Sequence, residues 1–108
     1  MVFKMIAIVP HSTYHNIRTP LLKVLRRVDD IIVLYEKDIL EEEDYPILKR
    51  RAYEVASELR KKGINKVAIV LTGSYLACIL TYEAFRDFKP ILLQWNSRRR
   101  TYIVFEEE

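Results

Sequence analysis

Short apolar runs alternate with amphipathic segments along this chain of 108 residues. The apolar runs are rich in Val and Ile, and they predict buried strands at residues 2–9, 31–35, 66–71, 91–95 and 101–105. The segments between the first four runs carry apolar residues at helical spacing, and they predict helices at about 20–28, 47–62 and 74–87. This order predicts an α/β fold, with a mostly parallel sheet, helices on its faces and a C-terminal antiparallel hairpin. We expect one Rossmann-like domain over residues 1–108.

Three polar segments follow the predicted parallel strands, at residues 10–18, 36–44 and 72–75. In open α/β sheets, ligands bind beyond the carboxyl ends of the strands, which is where all three segments would lie. The middle segment is strongly acidic, so we interpret it as a solvated loop that would repel an anion. The other two are not acidic and precede helices, so they are the candidate walls of an anion site.

The first of these segments, HSTYHNIRT, holds both histidines of the chain. Histidine can exchange protons near neutral pH, and hydroxyl, amide and guanidinium groups can donate to phosphate. The candidate catalytic residues are His11, Ser12 and His15, and the candidate ligand-binding residues are Thr13, Asn16 and Arg18. A solvated loop before a helix cap is the alternative. The two histidines are also spaced like metal ligands, but no third ligand stands out, so we expect neither a metal nor a cofactor.

The second segment, TGSY, contains one of only two glycines in the chain. Gly73 permits a positive φ or a close approach of the backbone to a ligand, and Ser74 can cap the next helix, whose free N–H groups attract phosphate. Thr72 and Tyr75 complete this group of candidate ligand-binding residues. The motif lacks the glycines of a dinucleotide fingerprint and the lysine of a Walker loop, so a plain capped turn is the alternative.

The predicted hairpin, QWNSRRRTY at residues 94–102, supplies a third candidate group. Trp95 could stack on a base, and Arg98 and Arg99 could bind phosphate by forked hydrogen bonds. The alternative is a solvated hairpin tip with core aromatic residues.

Overall charge and cysteine content narrow the functional classes. The net charge is +3, and the arginines near the C-terminus are followed by glutamates, which does not resemble the basic stripe of a duplex-binding protein. A single cysteine excludes an internal disulfide and suits a reducing compartment. No signal-peptide pattern and no membrane-length apolar run is present, so we expect a cytoplasmic protein without membrane contact. The abundance of Lys, Arg and Glu is typical of thermophile proteins.

The stretch from 66 to 105, with T-G-S-Y-L-A opening a helix and P-I-L-L-Q-W-N-S-R-R-R-T-Y-I-V-F closing the chain, resembles the CRISPR-associated Rossmann-fold (CARF) and SAVED superfamily. It is similar in particular to the small stand-alone ring nucleases of type III CRISPR systems. The resemblance implies a homodimer that binds cyclic oligoadenylate and opens the ring by attack of a ribose 2′-OH, leaving a 2′,3′-cyclic phosphate and switching off antiviral signalling. It implies ligand contacts at the positions of His11, Ser12 and Thr13 and at residues 72–75.

The chain departs from the family at one point. Some small members carry a catalytic His in the helix after the glycine turn and an Asp in the last hairpin, with manganese. Tyr82 and Glu83 occupy that helix region here, and Asn96 and Ser97 occupy the hairpin, so the pair that the manganese-dependent reaction uses is absent. A metal-independent reaction needs no such pair. No residues remain for an effector domain, so we expect a protein that acts in trans. The alternatives are a non-catalytic sensor or sequestering module and an enzyme acting on a phosphorylated metabolite.

Overall fold

The computed structural model describes residues 4–11, 18–37 and 39–106. The strands are β1 (Met5–His11), β2 (Asp30–Tyr35), β3 (Lys66–Val70), β4 (Ile91–Asn96) and β5 (Thr101–Phe105). The helices are α1 (Arg18–Val24), α2 (Asp44–Lys61) and α3 (Tyr75–Phe85), and a 3-10 turn, Arg86–Phe88, follows α3.

The strands form a five-stranded sheet in the order β2-β1-β3-β4-β5. β1 pairs in parallel with β2 and β3, and β3 pairs in parallel with β4. β5 returns antiparallel to β4. The predicted α/β fold with its C-terminal hairpin is therefore confirmed. Since β1 to β4 are parallel, their carboxyl ends share one edge of the sheet, which we call the carboxyl edge.

Side chains alternate between two cores because successive residues of a strand point to opposite faces. On one face, Val9 and Leu93 pack with Leu21 of α1. On the other face, Ile8 and Ile69 pack under α2 and α3 with Phe85 at their centre.

The first strand is longer than the sequence indicates. Residues 10–18 are predicted as a loop because proline cannot donate to a strand ladder, yet Pro10 and His11 belong to β1. Both are buried, and His11 is in register with Tyr35 of β2. Burial and pairing on the far side of Pro10 outweigh its missing N–H, so His11 lies at the strand end itself.

The helix bounds also differ from the prediction. α1 begins at Arg18 and ends at Val24, earlier than the predicted span of 20–28. α2 begins at Asp44 rather than near residue 47, which places Pro46 in its first turn. Proline is tolerated there because the first N–H groups of a helix have no intrahelical partner. No helix in the described part of the chain is long and apolar enough to cross a bilayer.

Candidate functional site

The ends of β1 and β3 meet at the side chain of His11. The hydroxyl of Thr72 donates to the carbonyl oxygen of His11 over 3.1 Å. A Cβ atom on Gly73 would lie 2.9 Å from His11 Cβ and 3.0 Å from its Nδ1. Gly73 also has a φ of +79°, so glycine is favoured here both by the backbone conformation and by the space the imidazole occupies. The turn after β3 is thus packed directly on the histidine that ends β1.

The imidazole of His11 is held from its other side. Its side chain is buried, with 8% of the residue exposed, and its Nε2 contacts the carbonyl oxygen of Lys37. A carbonyl can only accept a hydrogen bond, so Nε2 carries the hydrogen and Nδ1 is the acceptor in the neutral ring. Nδ1 therefore faces the Gly73 turn as a hydrogen-bond acceptor.

Six residues of the predicted loop lie outside the described part of the chain. They are Ser12, Thr13, Tyr14, His15, Asn16 and Ile17. Of the candidates in that segment, the structure therefore places His11 and Arg18. The guanidinium of Arg18 donates to the carbonyl oxygen of Val28 over 3.0 Å, so this side chain is engaged by the segment that follows α1.

Asp44 is a functional candidate that the sequence analysis missed. Its acidic run is predicted as a solvated loop, but Asp44 itself is buried, with 3% exposed. Its carboxylate accepts hydrogen bonds from Lys37 Nζ at 2.8 Å, the N–H of Glu41 at 2.7 Å and the Tyr35 hydroxyl at 2.7 Å. The ammonium of Lys37, then the two other donors, lower the pKa of Asp44 from 3.8 to about 2. The prediction of a solvated loop is wrong at this position.

Lys37 connects this carboxylate to the histidine. Its ammonium binds Asp44, while its carbonyl oxygen binds the His11 ring. The segment after β2 is thus fixed to the start of α2 and to the end of β1. The sequence signal was a lysine two positions after a strand and an aspartate shortly before a predicted helix, but pattern alone does not pair residues seven positions apart in a loop.

The N-terminus of α3 lies directly after the Gly73 turn. Ser74 caps it as predicted, since its Oγ accepts from the N–H of Ala77 at 3.0 Å. The hydroxyl of Tyr45 in α2 donates to the same oxygen over 3.0 Å, which the sequence did not indicate. The N–H groups of Tyr75 and Leu76 have no acceptor among the described residues. Such first-turn N–H groups are available to an anion.

An apolar groove adjoins this helix start. It has a volume of about 480 Å³ and is lined by Leu71, Tyr75, Cys78, Ile79, Tyr82, Glu83 and Leu92. Tyr75 is 90% exposed, so its ring is free to stack on a flat ligand. Burial raises the pKa of the Cys78 thiol, which donates to the carbonyl oxygen of Thr72 over 3.3 Å. The thiol is thus a packing group and a poor nucleophile.

The hairpin tip lies at the carboxyl edge because β4 is parallel to β3. Trp95 and Tyr102 face each other across the hairpin, with ring centroids 5.2 Å apart and an interplanar angle of 74°. The Asn96 side-chain oxygen accepts from the N–H groups of Arg98 and Arg99 at 3.0 and 3.2 Å, which fixes the turn. The two arginine side chains are exposed and have no ion-pair partner among the described residues.

A second cavity lies at the opposite edge of the sheet. It has a volume of about 860 Å³ and is lined by Lys4, Met5, Val24, Leu25, Arg26, Arg27, Lys66, Ile91, Val104 and Glu106. None of the predicted site residues lines it. Although this cavity is the larger of the two, it lies at the amino ends of β1, β3 and β4, between the segment that ends α1 and the end of β5, and ligands of open α/β sheets bind at the carboxyl ends of the strands.

No protein-family model matches the chain, and no curated protein or solved structure shows significant similarity to it. Within residues 4–11, 18–37 and 39–106, no group of three or more His, Cys, Asp or Glu side chains is arranged to hold a metal ion. The fold and the geometry at the carboxyl edge therefore carry the functional argument.

Proposed function

We propose that this protein binds a cyclic oligoadenylate at the carboxyl edge and opens its ring, as the small CARF-type ring nucleases do. The observation that supports this most is the packing of Gly73 on His11. It brings together the two non-acidic strand ends and places them beside the N-terminus of α3. An anion bound there meets free N–H groups rather than the acidic run, whose buried member Asp44 is already neutralised by Lys37.

Phosphate groups of such a ligand have three sources of attraction in this arrangement, two of which are hydrogen-bond donors. The first is the pair of free N–H groups in the first turn of α3, those of Tyr75 and Leu76. The second is the positive end of the α3 dipole. The third is the pair of exposed guanidinium groups of Arg98 and Arg99 at the hairpin tip. Guanidinium groups bind phosphate through paired hydrogen bonds, which suits a ligand with one phosphate per nucleotide.

The adenine bases need apolar surface, and the groove beside α3 offers it. The exposed ring of Tyr75 and the half-exposed ring of Trp95, 43% exposed, both lie at this edge. Stacking of a base on an aromatic ring contributes about 1–3 kcal/mol. The groove of about 480 Å³ is mostly apolar, which matches the faces of a purine.

The proposed reaction needs little covalent chemistry from the protein. A ribose 2′-OH attacks the adjacent phosphorus, the bond to the 5′-oxygen breaks, and the products carry a 2′,3′-cyclic phosphate and a 5′-OH. The proton lost by the 2′-OH goes to a base, and the leaving 5′-oxygen takes up a proton. The protein must hold the attacking and leaving oxygens in line and stabilise the charge that develops on the phosphate.

His11 is the described residue that we propose for proton exchange. Since Nε2 is engaged by Lys37, the exchange would take place at Nδ1, which faces the Gly73 turn. A positioned general base contributes about 10²- to 10⁴-fold to a rate. Ser12 and His15, the other two catalytic candidates, lie outside the described residues and remain part of the proposal on sequence grounds.

A homodimer also belongs to the proposal, because a cyclic oligonucleotide has rotational symmetry. A two-fold axis parallel to the strands would turn the carboxyl edges of two copies towards one ring. Such a protein would act on a cytoplasmic messenger.

Chromatography after incubation with cyclic tetra- and hexa-adenylate tests the catalytic part of the proposal. With enzyme in excess, we expect linear products ending in a 2′,3′-cyclic phosphate. Rings that stay intact under these conditions reject the nuclease. Calorimetric binding of the same rings without turnover would instead establish the alternative function, a sensor or sequestering module.

A further inference from the structure

The outer strand of the sheet carries unusual features for an edge. Among the described residues β5 pairs with β4 alone, so its second backbone edge has no strand beside it. Its sequence, TYIVF, contains neither proline nor charge. Ile103, Val104 and Phe105 are 51%, 41% and 61% exposed. Edge strands of this kind normally carry a charge, a proline or a cover, since otherwise they pair with another chain.

Opposite charges flank this strand at its two ends. Arg100 directly precedes β5, in a turn that also contains Arg98 and Arg99, and Glu106 directly follows it. The sequence continues with two further glutamates, Glu107 and Glu108. Neither Arg100 nor Glu106 forms an ion pair with another described residue. The segment thus begins with basic residues, continues with apolar residues and ends with acidic residues. Two antiparallel copies of it would therefore place basic residues of one copy beside acidic residues of the other.

We propose that β5 pairs antiparallel with β5 of a second copy of this chain, which joins two sheets into one of ten strands. The two-fold axis runs perpendicular to the sheet through Ile103, so each Ile103 lies opposite its copy. In this register Arg100 of each chain lies opposite Glu106 of the other, and Tyr102 lies opposite Val104. Backbone hydrogen bonds supply the association, as in other cases of strand addition.

The flanking charges and the faces of the side chains limit how the two strands can pair. A shift of one residue would pair residues whose side chains point to different faces of the sheet. A two-fold axis perpendicular to the sheet does not permit this, because it keeps each side chain on its own face. A shift of two residues places Arg100 opposite the apolar Val104 in one direction and opposite Glu108 in the other. Like charges placed opposite each other destabilise a strand pair and opposite charges stabilise it, so the flanking residues favour the antiparallel orientation.

This interface is distinct from the ring-sharing dimer of the proposed function. Pairing through β5 reverses the strand direction, so the carboxyl edges of the two copies face opposite ways and cannot share one ligand. The inference therefore does not depend on the identity of the ligand. A five-residue strand pair is small compared with a typical stable interface, so we expect association in the micromolar range.

Charge reversal tests the pairing directly. The molar mass of the full chain, measured by light scattering over a concentration series, should rise from 12.9 kDa towards twice that value. Arg100→Glu and Glu106→Arg should each weaken this association about tenfold or more, since each variant places like charges opposite each other at two symmetric positions. The double variant restores opposite charges, and we expect it to recover the association. Arg50→Glu, at an exposed position of α2, is the matched control and should leave it unchanged.

Two further measurements make the outcome decisive. Ile103→Lys places a charge at the two-fold axis and should abolish the pairing through β5, with an unchanged circular dichroism spectrum. In the wild type, amide hydrogens of β5 should become more protected from exchange as the protein concentration rises. A wild type that does not associate at any concentration, or an association that neither the single reversals nor Ile103→Lys weaken, would overturn the proposal. Ring binding by Ile103→Lys, measured separately, reports on the proposed function alone, because the ring-sharing dimer does not use β5.

Discussion

The hydroxyl of Thr72 donates to the carbonyl oxygen of His11 over 3.1 Å, which joins two residues 61 positions apart in the sequence. The bond connects the ends of β1 and β3, and Gly73, the next residue, packs on the His11 imidazole. The end of β1 and the turn after β3 are therefore neighbours at one edge of the sheet. This contact is the structural basis of the candidate site.

Gly73→Ala should destabilise the protein more than Gly63→Ala. Both glycines have positive φ values, +79° and +73°, so both substitutions introduce backbone strain of about 1–2 kcal/mol. A new Cβ at Gly63 meets nothing within 4 Å, whereas at Gly73 it meets His11 at 2.9 Å. We expect an additional loss of about 1–3 kcal/mol at Gly73, measured by urea unfolding. Equal losses for the two variants would show that the contact with His11 contributes nothing.

Asp44 should make the stability depend on pH in the acidic range. Its pKa is lowered to about 2 in the folded protein, so folding favours the charged carboxylate. The contribution is complete above the ordinary value of 3.8 and is lost as the pH falls from about 4 towards 2. Asp44→Asn should lower the melting temperature at neutral pH and flatten this part of the pH profile. Glu42→Gln, at an exposed position of the same acidic run, is the control, and a flattening of equal size there would contradict the assignment.

Ser74 and Tyr45 should be coupled in a double-mutant cycle. Ser74→Ala removes the cap of α3 and should cost about 1 kcal/mol. Tyr45→Phe removes the hydrogen bond to the same oxygen and should cost about 0.5–1.5 kcal/mol. Because the bond is already lost in Ser74→Ala, Tyr45→Phe should cost less in that background than in the wild type. Strictly additive free energies of unfolding would contradict the shared contact.

Arg98→Ala and Arg99→Ala should each weaken binding of cyclic oligoadenylate. A hydrogen bond to a charged group contributes about 1.5–3 kcal/mol, so each loss corresponds to about tenfold or more in affinity. Stability should be unaffected, because the turn is fixed by their backbone N–H groups and not by their side chains. Arg50→Ala on α2 is the matched control. If both variants bind the ring as tightly as Arg50→Ala does, the hairpin tip is not part of the ligand site.

The fold could be predicted because its elements follow from local patterns. Runs of Val and Ile separated by segments of helical periodicity indicate a parallel sheet, and Asn96 and Ser97 at the predicted turn indicate the final hairpin. The end of β1 could not be predicted in the same way. Pro10 is a local breaker, and the burial that overrides it arises from neighbouring strands far apart in the sequence.

The candidate site was predictable only in part for a similar reason. Gly73 and Ser74 carry local signals for a turn and a cap, and the structure shows both. Asp44 was missed because a run of acidic residues usually faces water. Its burial depends on Tyr35 and Lys37, which a strand and a loop bring to it. Tyr45 was missed because nothing in its local sequence points to α3.

A calorimetric titration with cyclic tetra-adenylate tests whether the ends of β1 and β3 form one ligand site. We expect the wild type and Gly63→Ala to bind the ring with equal affinity. We expect Gly73→Ala, whose methyl group displaces the turn from His11, to bind about tenfold or more weakly at a temperature where it is folded. Absence of binding to the wild type with both tetra- and hexa-adenylate rings, or equal affinity for Gly73→Ala, would contradict such a site.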